Sequence, residues 1–549
     1  MKKMIFPLVI VLIMLITPLN SSASIEYPET ANNTRMQMVK QQYYDLNIGA
    51  YRIERISNQY TAFDQLLASW ILLHLYNMTN DQSLLVQAEK PLEFTKSYLT
   101  DYRTYDRRGI VSWFDSSLGG STYSQSPLYA RDQLFYVFIL NYLNNFLVDE
   151  TTRRSNKALA ADAWDFLDER LWDTANGGWY SHLLTVSESE YQADTTKRTG
   201  SLSFMSWIAL MIDPSYIGVT QELLLNRVQK TLEFLKENLV QQNGAIVSFA
   251  TKDGSYTSSA FNSKDNALYS LACMEYYRLT KNTTYLNEAK NVFEYLSDIL
   301  WDRGFGGVFG AGNADNLITI AGKNLEDQTL FGLLSLQVSS QSDDPQYFDK
   351  FIETREYIYD NFYRSDRLFY TSIDRFGNPD SQVFLQATLW GNFFMTFEPQ
   401  LISIILPDSP ITIGLDLPVS YKVFSPVELD FHLNITPSND DVVKNKLTLK
   451  TINSITEVNV PINYISNPSS GDFDLQTDLI LFNQTLDTLI TSISIKSNTQ
   501  IPSGLIYLFG AGLLLVGVIL LRRPPEWLRK QLDEYKKNLE TLEKDEEQE

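Results

Sequence analysis

With 549 residues, 44% of them hydrophobic and 13% aromatic, the chain has enough apolar material for more than one packed core, which excludes disorder as its organising state. A formal charge of −21 excludes nucleic acid as a partner, because phosphate binding needs clustered Lys and Arg. The lone Cys273 excludes a disulfide framework and the scattered His74, His182 and His432 exclude a His-built centre, so neither metal nor cofactor is expected.

In chain order, residues 1–23 come first: Lys2 and Lys3, an apolar run from Met4 to Leu19, then Ser21 and Ala23 at a small-residue cleavage site. This reads as a secretory signal. Residues 24–399 then carry a repeat. "DQLLASWILL" at Asp64, "DQLFYVFILN" at Asp132, "SLSFMSWIAL" at Ser201, "DNALYSLACM" at Asp265, "DQTLFGLLSL" at Asp327 and "LQATLWGNFF" at Leu385 recur at steps of 68, 69, 64, 62 and 58 residues. Each is apolar on most faces and alternates with a more mixed stretch: 84–99, 157–171, 222–239, 286–300 and 347–362, with a weaker first copy at 35–51. Helices apolar all round sit inside and amphipathic ones cover them, so six of each predict a closed (α/α)6 toroid barrel of six helical hairpins, a mainly α fold.

Links from mixed to apolar helices are long, well beyond the roughly 2–8 residues usual between packed helices, and all emerge at the rim that holds the apolar helices' N-termini. "LWDTANGGWY" from Leu171 and "LWDRGFGGVF" from Leu300 lie in two of them, 129 residues apart. A double glycine followed by alternation marks a short hairpin, with Asp173 and Asp302 expected to bond turn amides.

From 400 to 500 the period changes to two, clearest in "VELDFHLNI" (Val427 to Ile435), which predicts an Ig-like β-sandwich stalk. Residues 501–521, uncharged throughout Leu505 to Leu521, are long enough for one transmembrane helix; Arg522, Arg523, Trp527, Arg529 and Lys530 behind them put the 522–549 tail in the cytoplasm. The expected protein is single-pass, with its barrel outside the cell. Sequons at Asn32, Asn77, Asn282, Asn434 and Asn483 fit a glycoprotein. The tail's Leu528, Leu532, Tyr535, Leu539 and Leu542 offer a two-heptad seam for weak self-association.

The D-x-x-x-G-G-aromatic loops, each followed by a lysine and the next inner helix ("DTTKRTGSLSF" with Lys197, "AGKNLEDQTLF" with Lys323), make the barrel resemble the six-hairpin glycosidase-like superfamily, and among its members the N-acylglucosamine 2-epimerase-like proteins. That resemblance implies a carbohydrate partner bound in the rim cleft and glycoside hydrolase, unsaturated-uronyl hydrolase or epimerase chemistry. The epimerases' histidine pair has no counterpart: His74 falls ten residues into an inner helix, and His182 alone is in a rim loop.

Carboxylates remain for acid–base work. Asp64, Asp132, Asp265 and Asp327 occupy one rim position in four repeats. Each is either an N-cap for its own helix or one of several acids aimed at a common mouth, where crowding separates their pKa values as glycoside cleavage requires. Asp132 is the leading candidate, flanked by Tyr129 and Arg131; Asp327 has Glu326 beside it, and Asp115 follows Trp113 and Phe114. Trp113, Phe114, Tyr129, Trp179, Tyr180, Phe305 and Tyr370 supply rim aromatics for sugar faces or for a mini-core under the hairpins, with Arg131, Lys197 and Lys323 as polar contacts. The expected function is glycoside hydrolysis by a carboxylate pair; the alternative is a non-catalytic glycan- or protein-binding receptor or adhesin on the same barrel. Isoprenoid cyclase chemistry lacks its acidic cluster.

Overall fold

A computed structural model describes residues 28–101, 109–118, 126–187, 190–256, 260–342, 344–380, 383–397, 399–405, 417–426, 429–437, 445–451, 455–462, 471–481, 484–497 and 506–508. It divides into two compact units, one helical and one built of the strands from Pro399 onward, with which residues 28–31 are grouped.

Twelve helices of the first unit are described: α1 (Pro28–Tyr43), α2 (Ala62–Thr79), α3 (Gln82–Phe94), α4 (Ala130–Asn144), α5 (Glu150–Arg170), α6 (Thr199–Ala209), α7 (Gln221–Leu239), α8 (Ser263–Thr280), α9 (Thr283–Tyr295), α10 (Leu325–Ser339), α11 (Pro345–Asn361) and α12 (Leu385–Phe397). The even-numbered helices form a closed ring, each packed on the next, with α12 returning to α2. From α3 to α11 the odd-numbered helices back the even-numbered helix before them. Burial separates the two classes: 15 of the 18 residues of α2 are buried, against six of the 21 of α5, those six recurring at helical spacing.

Helix boundaries follow caps rather than apolar periodicity. Helix α5 starts seven residues before the mixed stretch, because Asp149 accepts the amides of Thr151 and Thr152. Helix α1 stops at Tyr43, where Asp45 accepts the Asn47 amide (2.9 Å), Arg52 Nη2 (2.5 Å) and the Tyr60 hydroxyl (2.8 Å), turning the chain into the pair Tyr44–Asp45 and Ala50–Tyr51.

The barrel's axis is filled. Trp70 meets Phe138 (5.0 Å), Phe393 (4.6 Å) and Trp207 (5.9 Å) between ring centroids, so three other inner helices converge on one indole. Above it Phe63 contacts Phe135 (5.3 Å) and Phe204 (5.6 Å). Pairs at such distances add about 0.5–1.5 kcal/mol each beyond area burial, and they fill the lumen below the mouth.

Two repeated devices hold the long links to the rim. First, the residue after each rim aspartate is an amide that takes both the N–H and the C=O of one earlier residue: Gln65 with Tyr51 (2.8 and 2.7 Å), Gln133 with Ile110 (2.7 and 2.6 Å), Asn266 with Ile246 (2.9 and 3.3 Å) and Gln328 with Val308 (2.8 and 2.8 Å). Second, the Gly-Gly loops are locked by buried ion pairs. Asp173 accepts the amides of Ala175 (3.0 Å) and Asn176 (3.2 Å); Asp302 accepts those of Gly304 (3.0 Å) and Phe305 (3.3 Å). Gly177, Gly178, Gly306 and Gly307 all have φ between 75° and 77°, where a side chain is strained.

Lys197 completes the first lock with Asp173 (2.9 Å) and the Gly177 carbonyl (2.6 Å), and Lys323 the second with Asp302 (3.1 Å) and the Gly306 carbonyl (2.5 Å). This corrects the sequence expectation for both lysines. Each is 0% exposed with its ammonium spent on the loop, and neither faces the mouth.

The strand unit contains two antiparallel sheets: β1 (Gln400–Ile405), β2 (Leu417–Phe424) and β5 (Ile455–Ile462) in the order β1-β2-β5, and β3 (Leu429–Pro437), β4 (Asn445–Thr451), β6 (Gly471–Leu481), β7 (Gln484–Ser497) and β8 (Ile506–Leu508) in the order β4-β3-β6-β7-β8. The period of two is met in burial: Val419, Tyr421 and Val423 on β2, Leu433 and Ile435 on β3, and Leu475, Thr477 and Leu479 on β6 are buried.

Among the described residues no helix is long and apolar enough to cross a membrane. The expected signal and tail lie outside the described residues, as does the expected 501–521 span except for Ile506–Leu508. Those three residues form a strand paired with Ile495–Ser497 instead of a helix.

Replacing Lys197 with Met leaves the Asp173 carboxylate buried without its cation. Loss of one partner of a buried pair costs about 3–5 kcal/mol. Thermal or denaturant unfolding of Lys197→Met is expected to show a destabilisation of that order, and an unchanged midpoint would contradict the lock.

Candidate functional site

The mouth is built from the first turns of the six inner helices. Asp64, Asp132, Asp265 and Asp327 are each the third residue of their helix, with Thr61, Tyr129, Asn262 and Asn324 at the N-cap position. The aspartates therefore do not cap their own helices, a correction of that expectation. In the other two repeats the third residue is Ser201 in α6 and, two positions after Leu385, Ala387 in α12.

Each carboxyl group has its own neighbours. Asp64 receives the Thr61 hydroxyl (2.7 Å), and Asp132 receives Nε–H of Arg131 (3.1 Å). Asp327 reaches across to α8, accepting the Lys264 backbone N–H (3.1 Å) on one oxygen and Asn324 Nδ2 (2.8 Å) on the other. Asp265 accepts Asn262 Nδ2 (3.2 Å) and reaches α6, where a Cβ on Gly200 would lie 2.1 Å from its Oδ1. Glycine at that position makes room for the acid of the next inner helix.

Burial dominates the titration of Asp64, Asp265 and Asp327. It raises Asp64 to about 6, against the lowering effects of the Thr61 hydrogen bond and the Arg131 charge and with help from the Asp132 and Glu326 charges. It raises Asp327 to about 7, opposed by Asn324 and Lys264, and it raises Asp265 as well. Lys264 is driven upward, chiefly by Glu326, whose carboxylate is 3.5 Å from its ammonium.

Two cavities open here. The first, about 300 Å³, is lined by Asp64, Asp132, Arg131, Trp113, Tyr129 and Phe63 among others. The second, about 350 Å³, is lined by Asp327, Glu326, Lys264, Asn262, Asn324 and Trp390 among others. Phe384 and Gln386 line both, so the two cavities adjoin there.

The structure thus brings together Asp64, Asp132, Trp113, Tyr129 and Arg131, and places Asp327 in the adjoining cavity. The remaining sequence candidates lie elsewhere. Asp115 is half-buried and lines neither cavity, accepting the Ser117 hydroxyl (2.5 Å) and amide (2.9 Å), which hold its carboxyl below the usual range. Phe114 packs between Tyr60, Phe94 and Tyr98, and Trp179 is fully buried against Trp172 (5.0 Å); both are mini-core residues. Tyr180 is half-buried beside Asp173. Phe305 is 52% exposed against Phe376 (5.4 Å) in a separate depression, and Tyr370 lies under the Arg364 guanidinium (4.9 Å).

His74 stacks on Phe397 (4.0 Å) in the core, where burial lowers it to about 3, and His182 sits behind Tyr129 (4.9 Å). Neither lines either of these two cavities, and among the described residues no cluster of acids, histidines or cysteines is arranged to hold a metal ion. Sequence reasoning missed Phe63, Lys264, Phe384, Gln386 and Trp390. Three of these could have been found, since Phe63, Lys264 and Gln386 occupy the second helical position, like Arg131 and Glu326.

No protein-family model and no curated protein matches the chain. Solved structures do. A D-mannose isomerase superposes with a TM-score of 0.57 at 12% identity, over 69% of this chain and 98% of its own. The cellobiose 2-epimerase from Bacillus thermoamylovorans gives 0.56 at 11%, over 67% and 98%, and a GH76 α-mannanase from Bacteroides thetaiotaomicron 0.52 at 11%, over 67% and 94%. The helical unit has the (α/α)6 barrel fold of these structures.

The raised acids make stability pH-dependent. Between the ordinary carboxylate value near 4 and about 6, the folded state holds the Asp64 proton and the unfolded chain has released it, so the folded state binds more protons and stability falls as pH rises. The contribution of Asp64 is on the order of 3 kcal/mol, present below pH 4 and lost by about pH 7. Asp64→Asn, neutral throughout, is expected to flatten that decline in denaturant midpoints measured from pH 4 to 7.5; a decline as steep as that of the wild type would contradict the assignment.

Proposed function

We propose that the protein is a carbohydrate-active barrel that cleaves glycosidic bonds at its mouth, with Asp64 as proton donor and Asp132 as its carboxylate partner. One observation carries the reading: two carboxyl groups line one cavity with different neighbours. Asp64 is 4% exposed and accepts the neutral Thr61 hydroxyl, and burial raises it to about 6; Asp132 accepts the charged Nε–H of Arg131 (3.1 Å). Glycoside cleavage uses that division, one acid protonating the leaving oxygen while the other attacks the anomeric carbon or activates water. Trp113, Tyr129 and Phe63 offer apolar faces for a sugar ring beside the pair.

Asp265 and Asp327 have positioning roles in this reading, since each reaches an adjacent helix start. The names of the similar structures, an isomerase, an epimerase and a mannanase acting on sugars, support a carbohydrate ligand. Epimerisation by a histidine pair is disfavoured because both cavities lack histidine.

The cellular setting belongs to the same proposal. The signal-like N-terminus and the uncharged run of Leu505 to Leu521 before Arg522 and Arg523 support secretion and single-pass anchoring, with the barrel outside the cell and the tail in the cytoplasm. The Thr477 hydroxyl reaching Tyr421 Oη (3.3 Å) from one sheet to the other supports a sandwich as the stalk. A non-catalytic receptor on the same mouth is the second reading, favoured by the missing acid at Ser201 and Ala387.

Mass spectrometry of gluco- and manno-oligosaccharides incubated with full-length protein separates the two. New products are expected from wild type, with turnover lower by about 10²–10⁴ in Asp132→Asn and Asp64→Asn. Intact glycans throughout, or undiminished turnover in both variants, would overturn hydrolysis by this pair.

A further inference from the structure

The face opposite the mouth carries a repeated feature that the proposed chemistry leaves unused. Inner helices end there, and in repeats one and four the link to the outer helix is only two residues long. Helix α2 ends at Thr79 and α8 at Thr280; each is followed by one left-handed residue, Asn80 (φ 58°) or Lys281 (φ 57°), whose N–H returns to a carbonyl four residues back (2.7 Å in both). The next residue, Asp81 or Asn282, is already the N-cap of the outer helix. Both links border an Asn-x-Thr triplet, Asn77-Met78-Thr79 and Asn282-Thr283-Thr284.

Both asparagines are exposed. Asn282 spends only its oxygen on the fold: Oδ1 accepts the Thr284 N–H (3.1 Å) to cap α9, and Nδ2 has no partner among the described residues. Nδ2 is the atom that N-linked sugars occupy, so cap and sugar are compatible. By contrast Asn434, also in such a triplet, is half-buried within β3 and paired with Lys446 on one side and Asp478 on the other. The long rim links, 44–61, 100–129, 172–198, 240–262, 301–324 and 362–384, hold nine asparagines and not one Asn-x-Ser/Thr triplet. A sugar tethered there would face the mouth at an effective concentration of about a millimolar and compete with any free glycan. Helices α2 and α8 stand three places apart in the ring of six, so the two exposed asparagines lie on opposite sides of the far face.

We propose that Asn77 and Asn282 are N-glycosylated, covering the face opposite the mouth with sugar and leaving the rim bare. In the transfer the Nδ2–C1 bond forms, the C1–O bond to the phosphate of a lipid-linked oligosaccharide donor breaks, and one amide proton leaves with the phosphate. This rests on the secretory reading above and adds two modification sites to it.

Glycopeptide mass spectrometry of the full-length protein, isolated from the membranes of its own cells, tests this. The peptides containing Asn77 and Asn282 are expected to carry sugar. Asn77→Gln and Asn282→Asp are each expected to lower the intact mass by one glycan, and Asn282→Asp keeps the oxygen that caps α9, so its fold is retained. Thr284→Ala, which breaks the triplet, is expected to lose the sugar on Asn282, and Thr284→Ser, which preserves it, to keep the sugar. Both peptides bare, sugar on Asn434 alone, or a mass indifferent to Asn77→Gln and Asn282→Asp would overturn the proposal. Protease added to intact cells separates this failure from failure of the secretory reading. A barrel cut from outside with both asparagines bare would refute the modification and leave the cellular setting standing; a barrel cut only after lysis would refute the setting, and the modification with it.

Discussion

Closing six apolar helices into a ring imposes one constraint from which the rest follows: alternating helix direction puts all six inner N-termini on the same rim. Every inner helix in this chain is too apolar to leave the ring, and aromatic rings such as Trp70 and Phe63 fill its axis. The mouth is therefore a ring of helix starts. Residues at equivalent positions of different repeats, far apart in sequence, become neighbours there, which is how Asp64 and Asp132 come to line one cavity and Asp327 the next.

Burial is the second half of that constraint. Third-position aspartates stand inside the rim, where water is displaced by six helix ends, and the loss of hydration outweighs nearby favourable partners in raising Asp64 and Asp327. Their neighbours then differentiate them. Thr61 serves Asp64 with a neutral hydroxyl, Arg131 serves Asp132 with a charge, and Lys264 offers Asp327 a backbone amide while its ammonium turns to Glu326. One repeated position thus holds acids with different electrostatic roles.

The ring itself was legible from sequence, because helices apolar all round and helices apolar on one face differ in ways that the residues display directly. The carboxylate quartet was legible too, through its repeat spacing. Its geometry was not: N-cap and third-residue aspartates differ by one turn, and periodicity locates a helix start only to within a few residues. Lys197 and Lys323 misled for a related reason. A lysine before an inner helix reads as a rim contact, and only the folded loop shows that Asp173 and Asp302 consume its charge. Phe384 and Trp390 belong to the sixth repeat, which lacks the aspartate that aligned the others, so nothing in the pattern pointed to them. The similarity of the barrel to an isomerase, an epimerase and a mannanase at 11–12% identity establishes the fold and leaves the chemistry to the mouth.

The central claim is that Asp64 keeps its proton where ordinary carboxyl groups have lost theirs. Infrared difference spectroscopy across a pH titration, comparing wild type with Asp64→Asn, observes the protonated carboxyl C=O band directly. The account predicts a band that disappears around pH 6 in wild type and is missing from the variant. Identical spectra for the two proteins between pH 5 and 7 would place Asp64 among ordinary ionised carboxylates and contradict the proton donor on which the proposed reaction rests.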